Sequence, residues 1–88
     1  MMSIEATVEK CYRELLSAER GDAPLDMRRR LVEDDGFSSL QVVTFVTKVC
    51  EEIDLPLTVL TEQDIARMKT ADDLGAILRT AFEATREA

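Results

Sequence analysis

The stretch Ser38-Ser39-Leu40-Gln41-Val42-Val43-Thr44-Phe45-Val46-Thr47-Lys48-Val49-Cys50-Glu51-Glu52-Ile53 decides the fold. It is rich in β-branched residues, which favour strands. Its apolar positions, however, do not alternate. At about 100° per residue, Val42, Val43, Phe45, Val46, Val49, Cys50 and Ile53 gather on one side. Gln41, Thr44, Thr47, Lys48, Glu51 and Glu52 take the other, with Leu40 among them beside Ser39. The period is that of a helix, predicted from Ser39 to about Ile53.

The helix start is written in the residues before it. Ser38 is a good N-cap, and Gln41 three residues on completes a capping box. Phe37 and Val42 stand at the two positions of a hydrophobic staple. Gly36 allows a sharp change of direction just ahead. Ser39 then falls in the first turn with its side chain free, where backbone N–H groups and the helix dipole favour an anion.

Working outward, the same period recurs. Ser3 caps a first helix whose stripe is Ile4, Val8, Cys11, Tyr12, Leu15 and Leu16, and Gly21 ends it. Residues 22–37 form a long connection. Pro24 prevents simple helix continuation, Leu25, Met27 and Leu31 are its core anchors, and Arg28-Arg29-Arg30 is a basic surface turn. Pro56 closes the central helix. Leu57, Val59 and Leu60 make an apolar connection. A short third helix spans Thr61–Met68, capped by Thr61 and facing inward through Ile65 and Met68. Thr70 and Asp73 open the last helix, with Leu74, Ile77, Leu78, Ala81 and Phe82 as its stripe and a tail that frays from Glu83. The expected fold is all-α: residues 1–88 form a single domain, a small bundle of three main helices plus one short one.

Composition narrows the function. The chain has 88 residues, room for one modest core. A net charge of −7 argues against a nucleic-acid partner. The N-terminus has no apolar leader and no stretch is long enough to span a bilayer, which points to the cytoplasm. The two cysteines, Cys11 and Cys50, lie on apolar stripes and read as core residues of a reducing compartment. No histidine is present, which excludes Ser–His and Cys–His catalysis and most zinc sites. Ser39 is therefore not an activated nucleophile, and no metal site is expected.

Leu31-Val32-Glu33-Asp34-Asp35-Gly36-Phe37-Ser38-Ser39-Leu40 resembles the phosphopantetheine attachment region of the acyl carrier proteins, typically Phe-Val-Glu-Asp-Leu-Gly-x-Asp-Ser-Leu. Val32, Glu33, Asp34, Gly36, Ser39 and Leu40 are kept, and Leu31 replaces Phe. Thr70-Ala71-Asp72-Asp73-Leu74 is similar to the family's start of its last helix. Two positions depart: Ser38 stands for Asp, a comparable cap, and Asp35 stands where an apolar Leu anchors the loop.

The resemblance implies a stand-alone, non-catalytic carrier. Its 4′-phosphopantetheine arm would be attached to Ser39 by a phosphopantetheinyl transferase and hold acyl groups as thioesters. Acyl-loading, condensing and tailoring enzymes would be its partners, and a monomer is expected. Leu40, Thr44, Lys48 and Phe37 are the expected docking residues. Fatty-acid carriers usually expose acids early on this helix, whereas here Gln41, Thr44, Thr47 and Lys48 stand. That favours polyketide or other specialised-metabolite biosynthesis over the fatty-acid type. An aminoacyl or peptidyl carrier, as in peptide synthetases or D-alanine ligation, is the runner-up. An unmodified helical interaction domain is the alternative of another class.

Overall fold

The structure, a computed structural model, describes residues 3–20 and 25–87. Among them the chain is an all-helical bundle: α1 (Ile4–Arg20), α2 (Ser39–Glu52), the short α3 (Glu62–Ala66) and α4 (Ala71–Glu87), with a 3-10 turn at Leu57–Val59. The expected stop at Gly21 and break at Pro24 lie outside the described residues.

Helix α2 packs against α1, and α1 against α4. Val42, Phe45, Val46, Val49 and Cys50 of α2 are buried, and meet Val8, Cys11, Tyr12 and Leu16 of α1 and Leu74 and Leu78 of α4 in one core. The predicted phase of α2 holds with two corrections. Val43 is 42% exposed, because it lies one step outside the arc centred on Val46 and borders an open hollow. Ile53 is only half-buried, because it caps the C-terminus rather than continuing the helix. The helix stops at Asp54, which takes a left-handed conformation with φ of 57°. The Leu55 N–H then donates to the Cys50 carbonyl at 2.9 Å, closing the end. Two exposed ion pairs, Lys10–Glu52 at 3.2 Å and Lys48–Glu14 at 3.3 Å, link α1 to α2 outside the core.

The connection into α2 is hooked to the start of α4. The Leu31 N–H donates to the Lys69 carbonyl at 2.8 Å, and the Asp72 N–H to the Met27 carbonyl at 3.0 Å. Leu31 is fully buried, while Leu25 and Met27 are half-buried, so all three anchor the connection as expected. Each residue of the arginine run finds an acid within this segment: Arg28 with Asp26, Arg29 with Asp35, and Arg30 with both Glu33 and Asp34.

Helix α3 is shorter than expected. Thr61 and Asp64 form a full capping box, but the helix ends at Ala66, and Met68 reaches the core from the following turn. Thr70 and Asp73 exchange the two hydrogen bonds that start α4, at 3.0 and 3.2 Å. The tail does not fray at Glu83: α4 runs to Glu87. Its last turns are tied by the Thr85 hydroxyl to the Ala81 carbonyl at 2.9 Å and by the Arg86 guanidinium 4.8 Å from the Phe82 ring centre.

Val46 is 1% exposed at the centre of the core. Val46→Ala should cost on the order of 1–3 kcal/mol by leaving a cavity. Lys48→Ala, which removes one exposed ion pair, should cost about 0.5 kcal/mol or less. Equal denaturant midpoints for the two variants would contradict the assigned phase of α2.

Candidate functional site

The site is the turn from Leu31 to Ser39. Leu31 drops into the core, and the chain doubles back: the Asp34 and Asp35 N–H groups both donate to the Arg30 carbonyl, at 2.8 and 3.0 Å. The Phe37 N–H donates to the Leu31 carbonyl at 2.9 Å. Gly36, with φ of 75°, makes the reversal between them. A Cβ there would meet nothing within 4 Å, so the backbone conformation, not space, calls for glycine.

Asp35, the departure from the carrier pattern, is the centre of the turn. Its carboxylate is fully buried, accepts a hydrogen bond from the Tyr12 hydroxyl of α1, and pairs with the Arg29 Nε at 2.7 Å. Arg29 also donates through a terminal nitrogen to the Asp34 carbonyl at 2.8 Å. The Tyr12 ring stacks on Phe45 of α2, 5.7 Å between centres, and meets Phe37 edge-on at 6.4 Å. One tyrosine thus joins the first helix, the turn and the central helix. The anchor of the turn is a buried polar group whose hydrogen bonds are made. Asp34 is tied differently: the Arg30 N–H donates to it at 2.9 Å, and that bond holds its carboxyl below the usual range.

At the end of the turn Ser38 makes the expected cap. Ser38 caps α2: its Oγ accepts from the Gln41 N–H at 3.2 Å, and the Gln41 Oε1 accepts from the Ser38 N–H at 2.8 Å. Ser39 is the first residue of α2 and is exposed, and its hydroxyl makes no hydrogen bond with another described residue. No acid stands in the first turn of α2. Beside Ser39 lies a hollow of about 250 Å³ between α2, the turn and α3. Val32, Val42, Val43, Ile65 and Met68 supply its apolar wall, with Arg30, Glu33 and Lys69 also lining it. A second hollow of about 850 Å³, at the C-terminal end of α2, is lined by Arg79, Arg86, Glu52 and Glu83 among others, and by neither Ser38 nor Ser39.

The other expected docking residues fare differently. Leu40 is 74% exposed and Thr44 is exposed. Lys48 is exposed, but its ammonium is paired with Glu14. Phe37 is 2% exposed and packs against Tyr12, so its side chain is core and not docking surface. Val42, the residue expected to staple with it, is buried in the same core. The sequence reading missed the Tyr12–Asp35–Arg29 cluster and the hollow. The one signal for the cluster was an acid standing where a core residue belongs.

Both cysteines are free and buried. Burial pushes the Cys50 thiol up to about 11 and raises Cys11 as well. Among the described residues no group of histidine, cysteine and acidic side chains could hold a metal ion, and no helix is long and apolar enough to cross a membrane. The chain matches no protein-family model, no curated protein and no solved structure.

Tyr12 supplies a pH test of the cluster. Burial first, and then the bond to Asp35, raise the Tyr12 hydroxyl far above its ordinary value of 10.0. The folded chain therefore keeps this proton after the unfolded chain has lost it. The stabilisation is fully present below pH 10.0 and declines as pH rises above that value. Tyr12→Phe should cost about 1–3 kcal/mol at neutral pH by depriving Asp35 of a donor. It should also lose stability less steeply than the parent above pH 10.0. Parallel alkaline limbs in denaturant unfolding would contradict this.

Proposed function

We propose that the chain is a carrier domain in which Ser39 bears a 4′-phosphopantetheine arm. The observation that carries this is the division of labour at the start of α2. Ser38 is spent on the cap, while Ser39 is exposed, without a hydrogen-bond partner among the described residues, and beside an apolar hollow. These features fit the group. A phosphodiester on Ser39 Oγ lies at the positive end of a 14-residue helix with no acid in its first turn. The carrier reading also accounts for the match of Leu31–Leu40 to the acyl carrier pattern.

In this reading Ser39 supplies its hydroxyl and the transferase supplies the catalysis, since the chain has no histidine to act as base. A phosphopantetheinyl transferase moves the arm from coenzyme A onto Ser39 Oγ: the new Oγ–P bond replaces a P–O bond of the coenzyme's pyrophosphate, adenosine 3′,5′-bisphosphate leaves, and the hydroxyl proton passes to the transferase. When bound, the arm provides a thiol that holds acyl groups as thioesters. The chain's own residues position it. Ser38 and Gln41 fix the first turn of α2, and Gly36 and Asp35 fix the approach. The wall of Val32, Val42, Ile65 and Met68 offers a short acyl chain cover from water. The missing acids early on α2 favour partners in polyketide or other specialised-metabolite biosynthesis. The free buried thiols suit a cytoplasmic setting.

Variants of the two serines test this. After incubation with coenzyme A and a broad-specificity transferase, Ser39→Ala should gain no mass and keep its helical spectrum. Ser38→Ala should still be loaded while losing roughly 1 kcal/mol of stability with its cap. Loading of Ser39→Ala, or an arm mapped by peptide fragmentation to Ser38, would overturn the assignment.

A further inference from the structure

Residues 32–36 form the outer part of the turn, and of these Asp35 alone is buried. The backbone on either side is held by the Leu31 N–H on the Lys69 carbonyl and by the Phe37 N–H on the Leu31 carbonyl. In between, Gly36 at φ of 75° has no side chain to restrict it. Asp35 is thus the side-chain tether of this part of the turn to the bundle. It is gripped from two sides. The Tyr12 hydroxyl reaches it from within α1, and the half-buried Arg29 from the surface. The same guanidinium donates to the Asp34 carbonyl at 2.8 Å, so one arginine holds both the buried side chain and the adjoining backbone.

The tethered segment faces Ser39. Val32 and Glu33 line the hollow from the turn, and Ser39 lines it from the head of α2. Helix α2 is itself placed by the core packing of Val42, Phe45 and Val46. The position of the turn relative to the serine therefore depends on the tether. A hydrogen bond fixes direction as well as distance, whereas apolar contact is non-directional. An apolar side chain at position 35 would keep the turn against the bundle without fixing its orientation. Replacing a buried ionic group by an apolar one of similar volume is often neutral for stability. Stability and positioning can therefore be separated at this one residue.

Resting on the carrier reading, we infer that Asp35 is a positioning residue for arm transfer: held by Tyr12 and Arg29, it sets the turn in the orientation in which Ser39 Oγ meets transferase-bound coenzyme A. In that step the Oγ–P bond forms as a pyrophosphate P–O bond breaks, adenosine 3′,5′-bisphosphate leaves, and the hydroxyl proton passes to the transferase. Such a displacement is sensitive to misplacement of the attacking oxygen. Being buried, Asp35 offers no surface to the transferase. Its loss should slow the step and leave the affinity between the two proteins as it was.

The test is single-turnover arm transfer to the full chain, with coenzyme A and excess broad-specificity transferase, at a temperature where the variants are folded. It reads a limiting rate and a half-saturating transferase concentration. A folded Asp35→Leu should lose about tenfold in limiting rate, part of the roughly hundredfold that 1 Å of misplacement can cost, and keep its half-saturation within about twofold. Tyr12→Phe, which removes one of the two bonds, should fall between it and the parent. So should Arg29→Lys, which keeps the charge but not the forked geometry. A folded Asp35→Leu loaded at the parent rate would overturn the inference, because a purely structural role predicts that result. A half-saturation moved further than that would overturn it too, because the residue would then act on binding. Should Asp35→Leu fail to fold, Tyr12→Phe decides: a slower limiting rate supports the inference and the parent rate overturns it. A parent chain that accepts no arm overturns the carrier reading and this inference with it, and is distinguishable because no rate is then measured for any variant.

Discussion

The carboxylate of Asp35 sets the terms for the rest of the molecule. It is fully buried, and a buried charge is tolerated only where partners replace the water it has lost. Tyr12 comes from α1 and Arg29 from the segment leading into the turn, and both supply such partners. That requirement pins the Leu31–Ser39 turn to the first helix. It also seats the Tyr12 ring between Phe45 and Phe37, where the aromatic contacts of the bundle converge. An apolar residue at position 35 could fill the same space without demanding any particular partner. The acid instead specifies one arrangement, because removing either donor leaves a buried charge short of a hydrogen bond.

From that fixed turn the chemistry follows by short steps. Gly36 reverses the chain, Phe37 goes inward, and Ser38 closes the helix start with Gln41. The next residue is then exposed at the head of α2, beside a hollow whose walls come from α2, the turn and the α3 region. The helix has no acid in its opening turn to oppose a phosphate. A carrier needs rigid presentation of one hydroxyl and a surface that several enzymes can cover. On the proposed reading, the local backbone and packing demands supply the first of these, an exposed hydroxyl at the head of α2.

Much of this was legible in the sequence because it is local. The period of Val42, Phe45, Val46 and Val49 fixed the α2 face, and Ser38 with Gln41, Thr61 with Asp64 and Thr70 with Asp73 marked three helix starts. What escaped was non-local or marginal. The Tyr12–Asp35 bond spans 23 positions in the chain, and no spacing rule reaches that far. Val43 was misread because the edge of an apolar arc depends on whether a neighbour covers it, and α3 is too short to do so. Phe37 was read both as a staple and as docking surface. Packing against Tyr12 decides against the docking surface. The length of α4 was underestimated because its last turns are tied by side chains on its own surface, not by the core.

The central claim is that Ser39 is the attachment point of a thiol-bearing arm, and the chain's own thiols make it directly measurable. Cys11 and Cys50 are buried and their thiols are held protonated by burial, so neither should react quickly with a maleimide in the folded protein at neutral pH. Thiol titration of the native chain before and after treatment with coenzyme A and transferase is therefore decisive. The account predicts no fast-reacting thiol before treatment and one per chain afterwards. An unchanged titration, with the chain folded and the transferase active on a control carrier, would contradict it.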